Sequence, residues 1–263
     1  MSDLLVIPLL LNCGAVLYQR RYNRLHKSIA GLSYDLYVLS FTSYLLSVYC
    51  GFNYVFSTLL HKQLHQRFPV FFGQDKNKIP VSTTILLSDV VNLICASAVL
   101  KQLFDYRSSS RDAQHISLIC VIIIAACAVF SVFTYACATL YLPGKDSGRF
   151  GIFYLDHVNY SWILATFLSS FRLMPQLTVN FMERSTQGIS FKFVVLSTVS
   201  AIFQLVVEFC NQKRTHPYTP LNGKPLFEPL LNLIFLLSVI YQVHHVYHNR
   251  TYGLANRSES RIS

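Results

Sequence analysis

Apolar residues in this chain fall in long blocks separated by short polar links, and the blocks set the expected elements. Seven are read as membrane-crossing helices: Leu4 to Tyr18, Tyr34 to Leu60, Val81 to Phe104, Ile116 to Leu142, Phe150 to Met174, Phe191 to Phe209, and Leu226 to Tyr247. Most approach or exceed the roughly 20 residues needed to span a hydrocarbon core. The first block is short, but Asp3 precedes it and no basic segment does, so it reads as a helix rather than a signal peptide. The links carry breakers, as in "FPVFFGQDKNKIP", "LPGKDSG" and "RTHPYTPLNGKP", and none is long enough for a separate domain.

Composition agrees with lipid as the solvent. Hydrophobic residues make up 52% of the 263 and charged residues only 13%, about half the share usual in soluble domains. The net charge of +10 needs no nucleic-acid partner, because Lys and Arg beside an anionic leaflet account for it. Nothing basic precedes the first block, whereas Arg20, Arg21, Arg24 and Lys27 follow it. That contrast predicts a luminal amino terminus and a cytosolic carboxyl terminus. The seven cysteines lie in or beside apolar blocks without metal-ligand or CxxC spacing, and read as packing residues.

One stretch is written twice. "QRRYNRLHKSIAGLS" at 19–33 and "QLTVNFMERSTQGIS" at 176–190 share Gln, Asn, a basic residue, Ser, Gly and Ser at an offset of 157. The likeness continues from Val38, Leu39, Ser40 and Ser43 to Val195, Leu196, Ser197 and Ser200. Each copy follows an odd-numbered span and four spans separate them, so both face one side of the membrane. The pattern predicts two parallel three-helix bundles, residues 1–105 and 149–249, joined by a linker helix within 106–148 and followed by a tail, 250–263. A solute site is expected near mid-membrane between the repeats.

"MPQLTVNFMERSTQGIS" resembles a PQ-loop, and "KSIAGLSYD" with "VLSFTSYLLSVY" resembles the first repeat of cystinosin-like proteins. The resemblance covers nearly the whole chain in span order. It implies a proton-coupled carrier that exports cystine or a related amino acid from a lysosome or vacuole, and that address comes from the resemblance alone. It places Asp89 where the family keeps its proton-coupling acid. Asn180 falls on the Asn that borders the substrate, and Arg172 on a Lys three residues before the Pro. Pro175 and Gln176 form the PQ pair, while Gln19 has Tyr18 in place of its proline. Ser197, Ser40 and Ala165 stand where the family has Asp, Asn and Lys, which widens the substrate set beyond cystine.

The residues support related readings by themselves. An ionised Asp89 about eight residues inside a span costs roughly 2.5–3.5 kcal/mol, so it should face a polar cavity, hold a proton, or bond to Asn92 one turn on. Arg172 can pair with a carboxylate through its fork or snorkel to the interface. Pro175 can hinge or merely end the fifth span. Ser40 and Ser197 hold equivalent places and suit either a cavity wall or a helix contact. Asp35, Asp156 and Glu208 are the next acids. "HKQLH" and "HHVYH" lack a partner carboxylate at ligand spacing, and no Walker loop, GxSxG or dinucleotide fingerprint is present, so neither an enzyme nor a cofactor or metal is expected. The alternative to transport is a membrane protein of trafficking, cargo reception or lipid asymmetry.

Overall fold

The computed structural model describes residues 6–69, 81–107, 115–140, 148–212 and 221–246, and among these every regular element is helical. The tail from 250, and the NRT and NRS sequences that begin at Asn249 and Asn256, lie outside the described residues. The helices are α1 (Val6–His26), α2 (Tyr34–Phe56), α3 (Thr58–Arg67), α4 (Thr83–Asp105), α5 (Leu118–Thr139), α6 (Tyr154–Phe171), α7 (Met174–Glu183), α8 (Phe191–Gln212) and α9 (Phe227–Tyr241). A π-helical turn, Gln242–Val246, continues α9.

Four elements are long and apolar enough to cross a membrane by length and composition: α4, α5, α8, and α9 with its π turn. The others are less apolar because their polar residues point inward. Asp35, Ser40 and Ser43 of α2 and His157, Ser161, Ser169 and Ser170 of α6 are buried. By contrast α5 is apolar all round and leaves Leu118, Ile119, Val129 and Val132 exposed, the surface expected against lipid tails. The chain is a multi-pass, all-helical membrane protein.

Several expected boundaries move. The first block predicts an end at Tyr18, but α1 runs unbroken to His26 because its last two turns bury Gln19 and Asn23 in protein. The second expected span divides at Ser57, which terminates α2 and caps α3 by accepting a hydrogen bond from Leu60 N at 3.3 Å. The fifth expected span starts at Tyr154, breaks at Arg172 and Leu173, and resumes as α7. Pro175 sits in the first turn of α7, where its missing N–H leaves no bond unmade. It starts a helix rather than bending the end of one.

Packing groups the helices in two sets of three. In the first, α4 packs against both α1 and α2; in the second, α9 packs against both α6 and α8. The sets meet through α1 on α8 and α2 on α6. Helix α5 lies against α6 and is fastened through buried His157, whose ring nitrogens meet Thr134 Oγ1 at 2.8 Å and the Tyr49 hydroxyl at 3.0 Å. At its other end Ser117 N donates to Asp35 Oδ1 at 3.0 Å.

Candidate functional site

Between the two sets lies a cavity of about 100 Å³, room for several waters, walled by α1, α2, α4, α6, α8 and α9. Its wall mixes apolar side chains with an unusual density of charge. Arg172 and Lys224 supply two cations, Glu208 and Glu228 two carboxylates. Asp89 stands behind Lys224: Lys224 Nζ lies 3.4 Å from Asp89 Oδ1 and 3.5 Å from Glu228 Oε1, and Glu228 Oε1 also accepts from Ser169 Oγ at 2.6 Å. Lys224 precedes α9 and lies outside the spans. Burial works against its charged form, but Asp89 and Glu228 outweigh burial and hold its pKa above the ordinary lysine range.

Arg172 is arranged differently. Its guanidinium donates to the Tyr44 hydroxyl and lies over the Tyr44 ring, 5.5 Å from the centroid. Among the described residues it has no carboxylate partner, and its Nε has no hydrogen bond. The break between α6 and α7 leaves Arg172 at the end of α6, facing the cavity. Three more buried polar atoms are left open on the same wall: Tyr37 OH, Ser197 Oγ and Asn232 Oδ1. Buried polar atoms normally have partners, so four unmatched ones around one cavity mark a place for a polar solute.

Four of the residues singled out from sequence therefore meet at the cavity: Arg172, Ser40, Ser197 and Glu208. Ser40 Oγ donates to Leu36 O at 2.6 Å and presents its oxygen to the space. Asp89 is not among the lining residues; it forms an ion pair with Lys224 rather than a bond to Asn92, and its Oδ1 has no hydrogen-bond partner. Asn92 instead accepts from Asn12 Nδ2 at 2.7 Å. Lys224 and Glu228 were not legible as site residues, because they sit in a polar link and its margin; their spacing of four, beside an apolar block, is the one local sign of a paired charge.

Gln19, Gln176, Asn180 and Pro175 lie elsewhere. Gln176 Oε1 accepts from Ser33 N at 2.8 Å, and its Nε2 donates to Gly31 O at 2.9 Å and Asn180 Oδ1 at 2.8 Å. Gln19 Oε1 accepts from Ser190 N at 2.8 Å, and its Nε2 donates to Gly188 O at 3.1 Å and Asn23 Oδ1 at 2.8 Å. Every partner of one glutamine stands 157 residues from the corresponding partner of the other. Each repeat thus grips the loop of its twin. The turns are matched as well: Lys27 and Arg184 take left-handed φ values of 46° and 50°, and Ser28 N and Ser185 N close back on Asn23 O and Asn180 O. Gln19 is a clamp inside a continuous helix, not a hinge. Asn180 also donates to Gln242 Oε1 at 2.9 Å, which holds α7 to the end of α9.

The clamps predict equal penalties. Gln19→Leu strands a buried N–H and a buried carbonyl, at about 1–3 kcal/mol each, and Gln176→Leu strands the equivalent pair. The two variants should lower the unfolding midpoint in detergent by similar amounts; a loss confined to one of them would show that the paired grip is not shared.

A family model of the PQ loop repeat matches residues 158–214, the stretch from α6 through α8. The chain is also 41% identical over 238 residues to the uncharacterized protein YCL002C of Saccharomyces cerevisiae, with 90% of each chain covered. The chain belongs to the PQ-loop repeat family. More remotely, this PQ-loop protein is 21% identical over 227 residues to a cystinosin homolog of Arabidopsis thaliana, covering 84% of this chain and 76% of that one. The family match lies on the second repeat, which keeps the proline that Tyr18 replaces in the first.

Proposed function

We propose that this PQ-loop protein carries cystine or a related zwitterionic amino acid, together with a proton, from the lumen of a vacuole or lysosome to the cytosol. In this reading α1, α2 and α4 form the first bundle, α5 is the linker, and α6 with α7, α8 and α9 form the second, so that seven passes put the amino terminus in the lumen and the carboxyl terminus in the cytosol. The observation that carries it is Arg172, a cation without a carboxylate partner among the described residues, facing a cavity that also holds carboxylates. A solute carboxylate satisfies Arg172 through its fork, and the solute ammonium finds acceptors at Glu228 and Asn232. Ser40 and Ser197 add hydroxyls to the wall. Asn180 reaches a solute only when α7 moves, because Gln176 and Gln242 hold its amide. The coupled proton belongs to the acids around Lys224, namely Asp89, Glu228 and Glu208. The cystinosin homolog among the relatives supports the substrate class and the organelle.

The reading is tested with purified protein in liposomes, an inward proton gradient and a panel of amino acids that includes cystine. Saturable uptake that collapses when a protonophore dissipates the gradient is expected for at least one of them. Absence of flux and of proton current across the whole panel would move the protein to the trafficking class.

A further inference from the structure

Helix α8 presents Ser197, Ser200, Ala201, Gln204 and Glu208 to the cavity at helical spacing, and Glu208 ends that row. We infer that Glu208, and not Asp89, is the carboxylate that takes up the coupled proton. The inference rests on the transport reading above and narrows it to one atom pair.

The argument is a charge balance. Asp89 and Glu228 are matched by Lys224 between them and by Arg172 across the cavity, so these four groups cancel when all are ionised. Each of the two acids also has a direct partner: Lys224 at 3.4 Å for Asp89, and Lys224 at 3.5 Å with Ser169 Oγ at 2.6 Å for Glu228. Glu208 has no hydrogen bond and no ion pair among the described residues, although it lines the same cavity. Ionised, it leaves the site with a net charge of −1 inside a span; protonated, it leaves the site neutral. Glu208 stands two residues from the end of the apolar stretch Phe191–Cys210, so its unpaired charge is costly because it faces this shared cavity, and the proton is the cheapest group that removes the imbalance.

Among the described residues, the surroundings of Glu208 hold no cation beyond Lys224 and Arg172. From α9 and the link before it, Glu228 and Lys224 share the cavity; Asp89 of α4 stands behind Lys224. Arg172 of α6 and Tyr37 and Tyr44 of α2 complete the titratable groups, and α1 contributes the neutral Asn12. In net charge the two cations are already matched by Asp89 and Glu228, although Arg172 pairs directly with neither. With Glu208 protonated, a zwitterion enters a neutral site and the loaded carrier crosses without net charge; the empty carrier returns with Glu208 ionised, so the full cycle moves one net charge per solute.

Infrared difference spectroscopy on the full chain in lipid nanodiscs, between about pH 5 and about pH 8, reads a protonated carboxyl directly and needs no transport. A titrating carboxyl band is expected in the unsubstituted protein, retained in Asp89→Asn and in Glu208→Asp, and absent in Glu208→Gln. In liposomes that carry the active solute, Glu208→Gln should lose the dependence on luminal pH, where the unsubstituted protein falls about tenfold per pH unit above the titration midpoint. A band kept in Glu208→Gln and lost in Asp89→Asn overturns the assignment in favour of Asp89. A band lost in both variants, or never seen in the unsubstituted protein, overturns the single-carboxylate site. Absence of flux with the predicted band pattern intact would sink the transport reading while leaving the proton on Glu208.

Discussion

Arg172→Gln is expected to weaken solute recognition by about thirtyfold or more, read as a rise in KM for uptake or in Kd for binding, with the protein still assembled in the membrane. Removing one partner of a desolvated, hydrogen-bonded charge pair costs about 2–5 kcal/mol, and 2 kcal/mol is about thirtyfold in affinity. The variant should fold because among the described residues Arg172 has no carboxylate to strand, and the hydrogen bond it makes there is to the Tyr44 hydroxyl, which also faces the cavity. Arg172→Lys keeps the charge but loses the planar fork and the stacking over Tyr44, and should fall between the two. Tyr44→Phe should be milder still, since it leaves the guanidinium in place and removes one acceptor. The order Gln, Lys, Phe in severity is specific to a carboxylate anchor. Wild-type affinity in a correctly assembled Arg172→Gln would make Arg172 a structural cation resting on Tyr44 and would leave the cavity without its anchor.

The sequence carries the architecture further than it carries the site, and the reason is range. The repeated stretch at an offset of 157 is visible because it is local in each copy, and the structure turns it into the paired grip of Gln19 and Gln176. The apolar blocks are visible because lipid imposes composition on whole helices. The site depends on side chains from six helices whose chain separation reaches more than a hundred residues, as between Asp89 and Lys224. No periodicity records such a meeting. Lys224 therefore reads as an ordinary link lysine, and the one partner the sequence offers Asp89 is its neighbour Asn92. Pro175 misled in a related way: it reads as a breaker, yet the break falls before it, at Arg172 and Leu173, where it frees the residue that faces the cavity. Tyr18 and Gln19 show the converse, since the first copy keeps the glutamine's function with an unbroken helix. What both copies preserve is the grip across the interface rather than the bend.

The grip also sets a large structural penalty where the two loops cross. Gly31 and Gly188, again 157 residues apart, cross where the two loops meet. A Cβ built on Gly188 would lie 1.9 Å from Gly31 C, 2.3 Å from Gly31 O and 2.3 Å from Leu32 N. All three atoms are backbone, so no side chain can rotate away. Gly31 itself holds φ at +82°, a region costly for any residue with a Cβ, which closes off relief from that side. Separating the loops to admit a methyl group would pull Gly188 O from Gln19 and Gly31 O from Gln176, breaking both clamps at once. Gly188→Ala should therefore cost more than about 4 kcal/mol and yield little folded protein, seen as loss of the monodisperse peak in detergent chromatography. Gly14→Ala is the internal control. Its Cβ would meet Leu196 Cδ1 at an ordinary 3.9 Å in the middle of α1, so the substitution should be neutral or add about 0.5–1 kcal/mol of helix propensity. Should Gly188→Ala elute and unfold like Gly14→Ala, the two repeats cannot meet backbone to backbone at this crossing, and the paired grip of Gln19 and Gln176 would fall with it.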